Sequence, residues 1–379
     1  MPSKLNSHMS VDEIESWLME TRVDKTEELY DFADQTRRRY VGDAVWFRGL
    51  VELSNHCRRN CLYCGVRAAR QLERYRMTRA EILDCARKAH EWKFGTLVMQ
   101  AGEDLALDEG LIADLIVEIK ERFSLAITLS LGERKEREWR RWKEAGADRY
   151  LLRFETSNQE LFRVIHPAAP NCAPQDRIAL LRLLRSIGYE VGSGVMIGVP
   201  GQSFSDLARD LALFRDLDLD MIGCGPFLPH ADTPLGRLEK IDGRWQTKGP
   251  NDNQVSAINH FNYPTVVDQV PNDLATTFKV VALTRILLPN ANIPSTTAIA
   301  TVDGQMGRKS GLERGGNVVM PNLTPMKYRK LYEIYPDKAG SDEDAERTTQ
   351  TALRQISEIG RFQGEGTGSS QRFLARHAR

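Results

Sequence analysis

Long apolar runs are missing from this chain of 379 residues. No stretch approaches the roughly 18 consecutive apolar residues of a membrane-spanning helix, and the opening MPSKLNSHMSVDEIE lacks the apolar segment of a secretory signal. Net charge is missing too, because 52 basic residues balance 52 acidic residues. This balance argues against a general electrostatic attraction to nucleic acid or to an anionic membrane. We therefore expect neither as a partner.

Cysteine is scarce, with six residues in the whole chain. So few cysteines in a chain of this length do not indicate a disulfide framework, and the reducing cytoplasm is the expected location. Three of the six stand apart from each other, and we expect each to be structural rather than chemical. Cys85 lies on the apolar face of a predicted helix, Cys172 lies in a predicted loop, and Cys224 is either a core residue or, less expected, points into a central lumen.

The other three cysteines form one motif of the type CxxxCxxC, Cys57, Cys61 and Cys64, just after an apolar stretch. Three thiolates at this spacing can hold three corners of a cubane iron–sulfur cluster, and they leave the fourth iron without a protein ligand. A zinc site is the main alternative. Structural zinc takes four ligands, commonly as two separated pairs, and the sequence offers no second pair. The motif therefore predicts a 4Fe–4S cluster with one open iron.

Short apolar runs alternate with amphipathic helical stretches along most of the chain. Runs that are apolar on both faces and are followed by helices are typical of parallel βα units, and eight of them predict an α/β fold, a (β/α)₈ barrel. A closed barrel has no exposed sheet edge, so we expect a monomer. The predicted strands are 48–54, 95–101, 125–131, 148–154, 189–197, 220–225, 292–298 and 316–320.

The chain divides into three predicted parts. Residues 1–45 form an N-terminal helical segment, 46–340 form the barrel, and 341–379 form a C-terminal helix and tail. Residues 237–272 are polar and too long for an ordinary connection, so we expect a functional loop that could cover the barrel mouth. The end of the tail, 361–379, is polar and rich in glycine and serine, and we expect it to be disordered.

Polar residues follow most of the predicted strands at their carboxyl ends, where (β/α)₈ barrels carry their chemistry. Gly102 and Glu103 follow the second strand, and Glu155 follows the fourth. An ionised carboxylate accepts hydrogen bonds only, which suits Glu103 to an ammonium partner. Taken alone, Glu103 is better explained as an N-cap or as part of a solvated turn. As a set on one rim, these residues indicate a binding site.

The motifs resemble the radical S-adenosylmethionine (SAM) enzymes of the biotin-synthase-like group, and they fit best the HydE type of FeFe-hydrogenase maturase. The segments that carry this resemblance include ELSNHCRRNCLYCGVR, LVMQAGED, ITLSLGE, EAGADRYLLRFET, GVMIGVPGQ and IPSTTA. The resemblance covers roughly three quarters of the chain. It implies reductive cleavage of SAM at the cluster, giving a 5′-deoxyadenosyl radical, with electrons from a low-potential donor and with other hydrogenase maturation proteins as possible partners.

The resemblance also implies roles for individual residues. Tyr63 would lie by the adenine of SAM, Gly102 and Glu103 by its amino group, and Glu155 by its ribose or amino group. Arg177 would pair with the SAM carboxylate, and Ile197 and Gly198 would line the adenine site. The substrate implied by the family is an organometallic iron species with cysteine, carbon monoxide and cyanide. The residues expected to bind it are Arg153, Thr296, Thr297 and Tyr328.

The sequence departs from the maturase pattern in three places. No cysteine follows Cys224, so the optional second cluster is not expected, and Ala101 stands where the family commonly has serine. The 237–272 segment is the third departure. The alternative is a radical SAM mutase or synthase acting on a small amino-acid-type substrate, similar to methylornithine synthase. A non-catalytic cluster carrier is a further alternative, and the SAM-binding rim argues against it.

Overall fold

The computed structural model describes residues 4–168, 172, 174–241, 244–247, 263–304 and 306–378. These residues contain twelve strands and fourteen α-helices. The strands are β1 (Ala44–Ser54), β2 (Thr96–Ala101), β3 (Ala126–Ser130), β4 (Arg149–Leu151), β5 (Glu190–Ser193), β6 (Met196–Ile197), β7 (Met221–Ile222), β8 (Gly225–Pro226), β9 (Leu238–Ile241), β10 (Arg244–Thr247), β11 (Val318–Val319) and β12 (Phe362–Gln363). The helices are α1 (Val11–Met19), α2 (Val23–Val41), α3 (Arg79–Glu91), α4 (Glu109–Phe123), α5 (Glu136–Glu144), α6 (Gln159–Ile165), α7 (Arg177–Ile187), α8 (Phe204–Asp216), α9 (Leu274–Leu287), α10 (Thr297–Asp303), α11 (Gly307–Glu313), α12 (Met326–Arg329), α13 (Ala345–Glu358) and α14 (Gln371–His377).

A ring of parallel strands forms the centre of the molecule. The sheet runs in the order β11, β1, β2, β3, β4, β5, β7, and every neighbouring pair is parallel. Single parallel bridges from Met221 to Asn292 and from Pro294 to Val318 join the two edges. The segment 292–294 therefore takes the seventh place in the ring, and the predicted (β/α)₈ barrel is confirmed.

Three predicted elements differ from the observed ones. The predicted seventh strand, 292–298, forms only single bridges, and α10 already begins at Thr297. The predicted strand 189–197 is divided, because β6 leaves the ring and pairs with β8 in a separate two-stranded sheet. The sequence pattern also predicts a helix over 324–335, and the structure has only the single turn α12 there.

The N-terminal helices cover one side of the barrel. Helices α1 and α2 pack against α8 and α9, and Trp17 and Leu18 join the same apolar core as the barrel strands. Every residue of α9 from Thr276 to Leu287 is buried, since this helix lies between the ring and α2. None of the helices in the described ranges is both long and apolar enough to cross a bilayer.

The prediction that residues 361–379 are disordered is wrong. Strand β12 pairs with the first residues of β1, and residues 362–370, which we call the C-terminal strap, continue across the amino-terminal end of the barrel. There the carbonyl of Thr367 accepts hydrogen bonds from Thr96 (2.9 Å) and Arg149 (2.8 Å), and that of Gly368 accepts one from Asn292 (2.9 Å). A polar composition predicts disorder only when the rest of the protein has no buried polar groups that can hydrogen-bond to the segment. Here the amino-terminal end of the barrel has such groups, and they bind the strap.

The polar segment 237–272 contains the hairpin of β9 and β10. Its final part runs along the turn after β6. The Tyr263 hydroxyl donates to the carbonyl of Pro200 (2.9 Å), and the amide of Val270 donates to the carbonyl of Gln202 (2.9 Å). The predicted cover over the barrel mouth falls largely on 242–243 and 248–262, which lie outside the described residues, and it stays a prediction.

Candidate active site

The loop after β1 carries the three motif cysteines into the barrel. Cys61 is buried, while Cys57 and Cys64 are half-buried, and all three line one central cavity. The side-chain amide of Asn55 fixes the start of the loop by donating to the carbonyls of Glu73 (2.9 Å) and Leu331 (2.8 Å). The loop therefore has a defined path before any ligand binds.

The surroundings of the cysteines fit an anionic iron–sulfur cluster. The backbone N–H of Arg59 donates to the sulfur of Cys57 at 3.4 Å. The Nε and Nη1 atoms of Arg67 are buried without a hydrogen-bond partner, and this guanidinium interacts electrostatically with Cys61 and Cys64. Burial raises the pKa of the Cys64 thiol to about 12, so a bound metal group must displace protons, and a nearby cation favours that exchange.

The three cysteines need not converge on one point to hold a cluster. Among the residues that the structure describes, no three His, Cys, Asp or Glu side chains converge on one metal position. A cubane places each cysteine on a different iron. Three cysteines that line one cavity are therefore compatible with the cluster predicted from the spacing.

The cavity behind the cysteines has a volume of about 370 Å³ and occupies the barrel lumen. It is within the range of small-molecule sites. Of the fourteen side chains that the sequence analysis assigned to the site, eleven line it. These are Cys57, Cys61, Cys64, Tyr63, Gly102, Glu103, Arg153, Glu155, Arg177, Thr296 and Thr297.

Glu155 has the strongest signature of a binding residue. Its φ of +63° is unusual for a residue with a side chain, and such strain is commonly found at functional sites. The residue is buried, and its Oε2 atom accepts no hydrogen bond although Arg153 Nη2 lies 3.2 Å away. An unsatisfied buried carboxylate facing a cavity suits an ammonium or hydroxyl donor on a ligand.

Glu103 has a different environment from the one predicted. Its Oε2 atom accepts hydrogen bonds from Arg59 (2.7 Å) and Arg58 (3.2 Å), and its Oε1 atom accepts one from the backbone of Glu133 (3.1 Å). The carboxylate therefore anchors the cysteine loop and is already supplied with donors. This geometry does not favour Glu103 as a free acceptor for an ammonium group.

Glu133 connects that anchor to Arg177. It pairs with Arg59 on one oxygen and accepts a hydrogen bond from Arg177 Nε (2.9 Å) on the other. Arg177 also donates to the carbonyl of Arg153 (2.8 Å), which holds the guanidinium at the cavity wall. Asp176 caps α7 and so sets the position of Arg177 in its first turn.

Tyr63 contacts the cavity from the cysteine loop. Its hydroxyl lies 2.9 Å from Nε2 of His166, and burial raises the pKa of the tyrosine well above its ordinary value. Burial and the charge of Arg177 hold the pKa of His166 well below its usual range, so the imidazole is neutral. Tyr63 therefore presents an uncharged aromatic side chain to the cavity, with the neutral imidazole behind it.

The predicted substrate residues are partly in place. Arg153 lines the cavity with its Nε atom buried and unpaired. The Thr296 hydroxyl caps α10 and donates to the carbonyl of Cys224 (3.2 Å), so it is committed to the fold. Thr297 lines the cavity from the first turn of that helix.

Three predicted residues do not line the cavity. Ile197 is fully buried in the apolar core, and Gly198 has a φ of +78° with its α-carbon against Asn272, where a Cβ would meet backbone at 2.4 Å. Tyr328 stacks on Tyr75 at 4.4 Å, and its hydroxyl lies 3.1 Å from Glu81. Tyr328 therefore lies outside the lumen, against Tyr75 and Glu81.

An ion pair inside the cavity was missed from the sequence. Lys338 donates to Glu52 at 2.6 Å and to the carbonyl of Tyr332 at 3.0 Å, and the Asn322 amide donates to the second oxygen of Glu52 (3.0 Å). Both charged side chains are almost completely buried. The only sequence signal is a glutamate in an apolar strand, which does not identify a lysine 286 positions away.

Known proteins share much of the sequence of this chain. A model of the radical SAM superfamily matches residues 51–214. The FeFe hydrogenase maturase subunit HydE of Thermotoga maritima is 42% identical over 347 residues, which cover 91% of this chain and 89% of that protein. The 3-methylornithine synthase of Methanosarcina acetivorans is 24% identical over 313 residues, covering 82% of this chain and 79% of that protein.

Solved structures share the fold. The crystal structure of methylornithine synthase has a TM-score of 0.72 at 21% identity and covers 97% of this chain and 96% of its own. The maturase HydG of Carboxydothermus hydrogenoformans has a TM-score of 0.74 at 18% identity, covering 97% of this chain and 79% of its own. At these identities the likeness shows the fold alone. The superfamily match and the 42% identity over nine tenths of the sequence show more than the fold. This chain belongs to the radical SAM superfamily and, within it, to the family of the FeFe hydrogenase maturase subunit HydE.

Proposed function

We propose that this protein is a radical SAM enzyme that acts in assembly of the di-iron cluster of FeFe hydrogenase. The observation that carries the proposal is the shared cavity. Three cysteines with one cluster-type spacing line the same lumen as Glu155 and Arg153, an ion pair at 3.2 Å in which Glu155 Oε2 and Arg153 Nε are buried without a hydrogen bond. A metal group, a polar cofactor and a substrate can therefore meet in one chamber.

Cys57, Cys61 and Cys64 would hold a 4Fe–4S cluster, with Arg67 as its buried counter-charge. When bound, the cluster and SAM supply one-electron cleavage of a carbon–sulfur bond and hence a carbon radical. The protein's own residues bind and orient. Glu155 offers an acceptor to the polar part of SAM, and Arg177, fixed by Glu133, offers a cation to its carboxylate.

The remaining walls receive the substrate and exclude water. Arg153 and Thr297 line the cavity and offer a cation and a hydroxyl, which suits an anionic ligand. The strap closes the opposite end of the barrel, where a backbone carbonyl accepts hydrogen bonds from the side chains of Thr96 and Arg149. Because the reactive species is a radical, no general base or nucleophile is needed.

A mutase or synthase on a small amino-acid-type substrate is the second candidate. The observation that favours it is the methylornithine synthase fold, which matches nearly the whole chain. At 24% identity this relative carries less weight than the maturase at 42%. We further propose that the protein works in the cytoplasm as a monomer, with a low-potential electron donor and the other hydrogenase maturation proteins as partners.

The first experiment tests the radical chemistry. Anaerobically reconstituted protein receives SAM and dithionite, and 5′-deoxyadenosine is measured. Wild-type protein and a Cys85→Ala variant should both release it, because Cys85 lies in the apolar core. A Cys61→Ala variant should neither retain the cluster nor release the product. Absence of 5′-deoxyadenosine from wild-type protein with an intact cluster would refute the proposal.

The second experiment separates the two substrates. The gene is introduced into a host that lacks its own HydE-type maturase but keeps FeFe hydrogenase and the other maturases. Restored hydrogenase activity at unchanged hydrogenase protein level supports the maturase function. Active SAM cleavage without any restored hydrogenase activity would favour the mutase or synthase.

A further inference from the structure

A second pocket lies on the outer side of the cysteine loop and opens to solvent. Its volume is about 410 Å³, and we call it the outer pocket; its main lining residues are Cys57, Arg58, Arg74, Arg76, Leu105 and Ala106. Cys57 and Glu103 line both the outer pocket and the central cavity. The wall between solvent and the cluster position is therefore one residue thick at Cys57.

Cations face outward in this pocket and carboxylates face inward. The side chains of Arg58 and Arg76 are 32% and 42% exposed, while those of their partners Glu103 and Asp104 are 5% and 3% exposed. Arg74 donates only to backbone carbonyls in the hydrogen bonds that the structure describes, among them that of Val66 at 2.7 Å, so its charge is not neutralised there. An approaching molecule meets positive charge, although the chain as a whole is neutral.

Between these cations the pocket is apolar. Leu105 is 58% exposed, and Ala68 and Ala106 beside it are also exposed. The imidazole of His56 lines the pocket as well. A small apolar centre with a charged rim is typical of weak, transient interfaces such as those of redox partners.

We propose that the outer pocket is the electron-entry site, and that its partner is a small acidic one-electron carrier protein. The inference rests on the proposed function, since only a redox group at the three cysteines requires an electron. The carrier is oxidised by one electron, and the group behind Cys57 is reduced by it; no bond or proton changes in this step. Electron transfer slows steeply with distance, which favours the thinnest wall, and the exposed guanidinium groups attract an acidic surface.

Leu105 offers a clean test because its side chain is exposed and apolar. Leu105→Glu and Leu105→Lys place opposite charges at one position, with similar loss of apolar surface. The two variants differ by two unit charges. At roughly 6 Å from a partner charge in water, this corresponds to about a tenfold difference in affinity or association rate at low ionic strength. The difference should shrink strongly at 0.5 M salt.

The probe is an acidic plant-type ferredoxin, a low-potential carrier. Its affinity for the reconstituted protein is measured by fluorescence anisotropy, and reduction of the cluster is followed by stopped-flow absorbance. We expect Leu105→Lys to bind and react at least as well as wild type, and Leu105→Glu about tenfold more weakly than Leu105→Lys. Val23→Glu, on the exposed start of α2, should match wild type.

Dithionite separates this inference from the proposed function. It is small and needs no docking surface, so it should reduce wild type and both Leu105 variants equally. Equal ferredoxin affinity for the two variants, or a reversed order, would overturn the electron-entry site while leaving the SAM chemistry intact. Failure of wild type to cleave SAM with dithionite would instead overturn the proposed function, and ferredoxin binding would still be measurable.

Discussion

The buried ion pair of Lys338 and Glu52 should dominate the stability of the cavity wall. The two side chains are 4% and 2% exposed, so each is the main compensation for the other's lost hydration. Replacing Lys338 by methionine keeps the side-chain length but leaves the Glu52 carboxylate with the Asn322 amide as its remaining side-chain donor. Removal of one partner from a buried pair commonly costs about 3–5 kcal/mol.

The size of the effect can be converted into a melting temperature. At about 2.1 cal/mol/K per residue, unfolding of 379 residues changes the entropy by roughly 0.8 kcal/mol/K. Loss of 3–5 kcal/mol should therefore lower Tm by about 4–6 °C. The double variant Glu52→Gln with Lys338→Met leaves no buried charge and keeps an acceptor for Asn322, so it should recover most of that loss.

Thermal unfolding of the cluster-free proteins, followed by circular dichroism, measures all four members of this cycle. We expect a coupling free energy of about 2 kcal/mol or more between the two positions. The reasoning is refuted if Lys338→Met lowers Tm by less than about 1 °C, or if the double variant is as unstable as the sum of the single variants. Lys330→Met, at an exposed lysine, is the matched control.

Three further predictions concern other parts of the molecule. Glu155→Gln should weaken SAM binding by about 10- to 100-fold in anaerobic equilibrium dialysis, since a charged acceptor is lost. Glu160→Gln, at an exposed position of α6, should not weaken it, and equal SAM affinities of Glu155→Gln and wild type would contradict the assignment. A Cβ at Gly95 would lie 1.5 Å from the carbonyl of Gly366, so Gly95→Ala should displace the strap and speed tryptic cleavage of the tail, and Gly110→Ala, with only ordinary contacts, should not. Burial raises the pKa of Asp210 to about 7, so the native protein keeps a proton that the unfolded chain releases above about pH 4, and the free energy of unfolding falls as pH rises toward 7. In urea titrations, Asp210→Asn should remove about 2 kcal/mol of the stability loss between pH 5 and 8. An unchanged dependence of stability on pH would exclude a role for Asp210.

The barrel could be predicted from the sequence because parallel strands that are buried on both faces leave uninterrupted apolar runs. The seventh strand was predicted to be longer and more regular than it is, and this difference also has a physical reason. Pro294 has no N–H to donate, so the chain there makes single bridges instead of a regular strand. The strap was missed because its order depends on partners such as Arg149 and Asn292, which are distant in sequence.

The cysteine positions and the residues at the strand ends could be predicted because spacing and strand order are local properties. Pairing between charged side chains could not. Glu103 was interpreted as a ligand for an ammonium group, but Arg58 and Arg59 occupy its carboxylate. With 52 basic residues in the chain, no pattern indicates which arginine meets which carboxylate until the fold brings them together.

The cysteine loop has two opposed requirements, because it must exclude water from a radical and must also lie close enough to the surface to receive an electron. The contacts of Glu103 show how one segment can satisfy both. A radical must be kept from water, and the inner side of Cys57, Cys61 and Cys64 faces the barrel lumen. An electron must arrive from outside, so the loop cannot lie deep in the protein. Glu103 allows both, because its carboxylate binds Arg58 and Arg59 and so fixes the loop as the wall between the lumen and the outer pocket. Losing that carboxylate should therefore disturb both faces at once, slowing reduction by a carrier protein and exposing the cavity to solvent, whereas losing Glu155 should disturb the inner face alone.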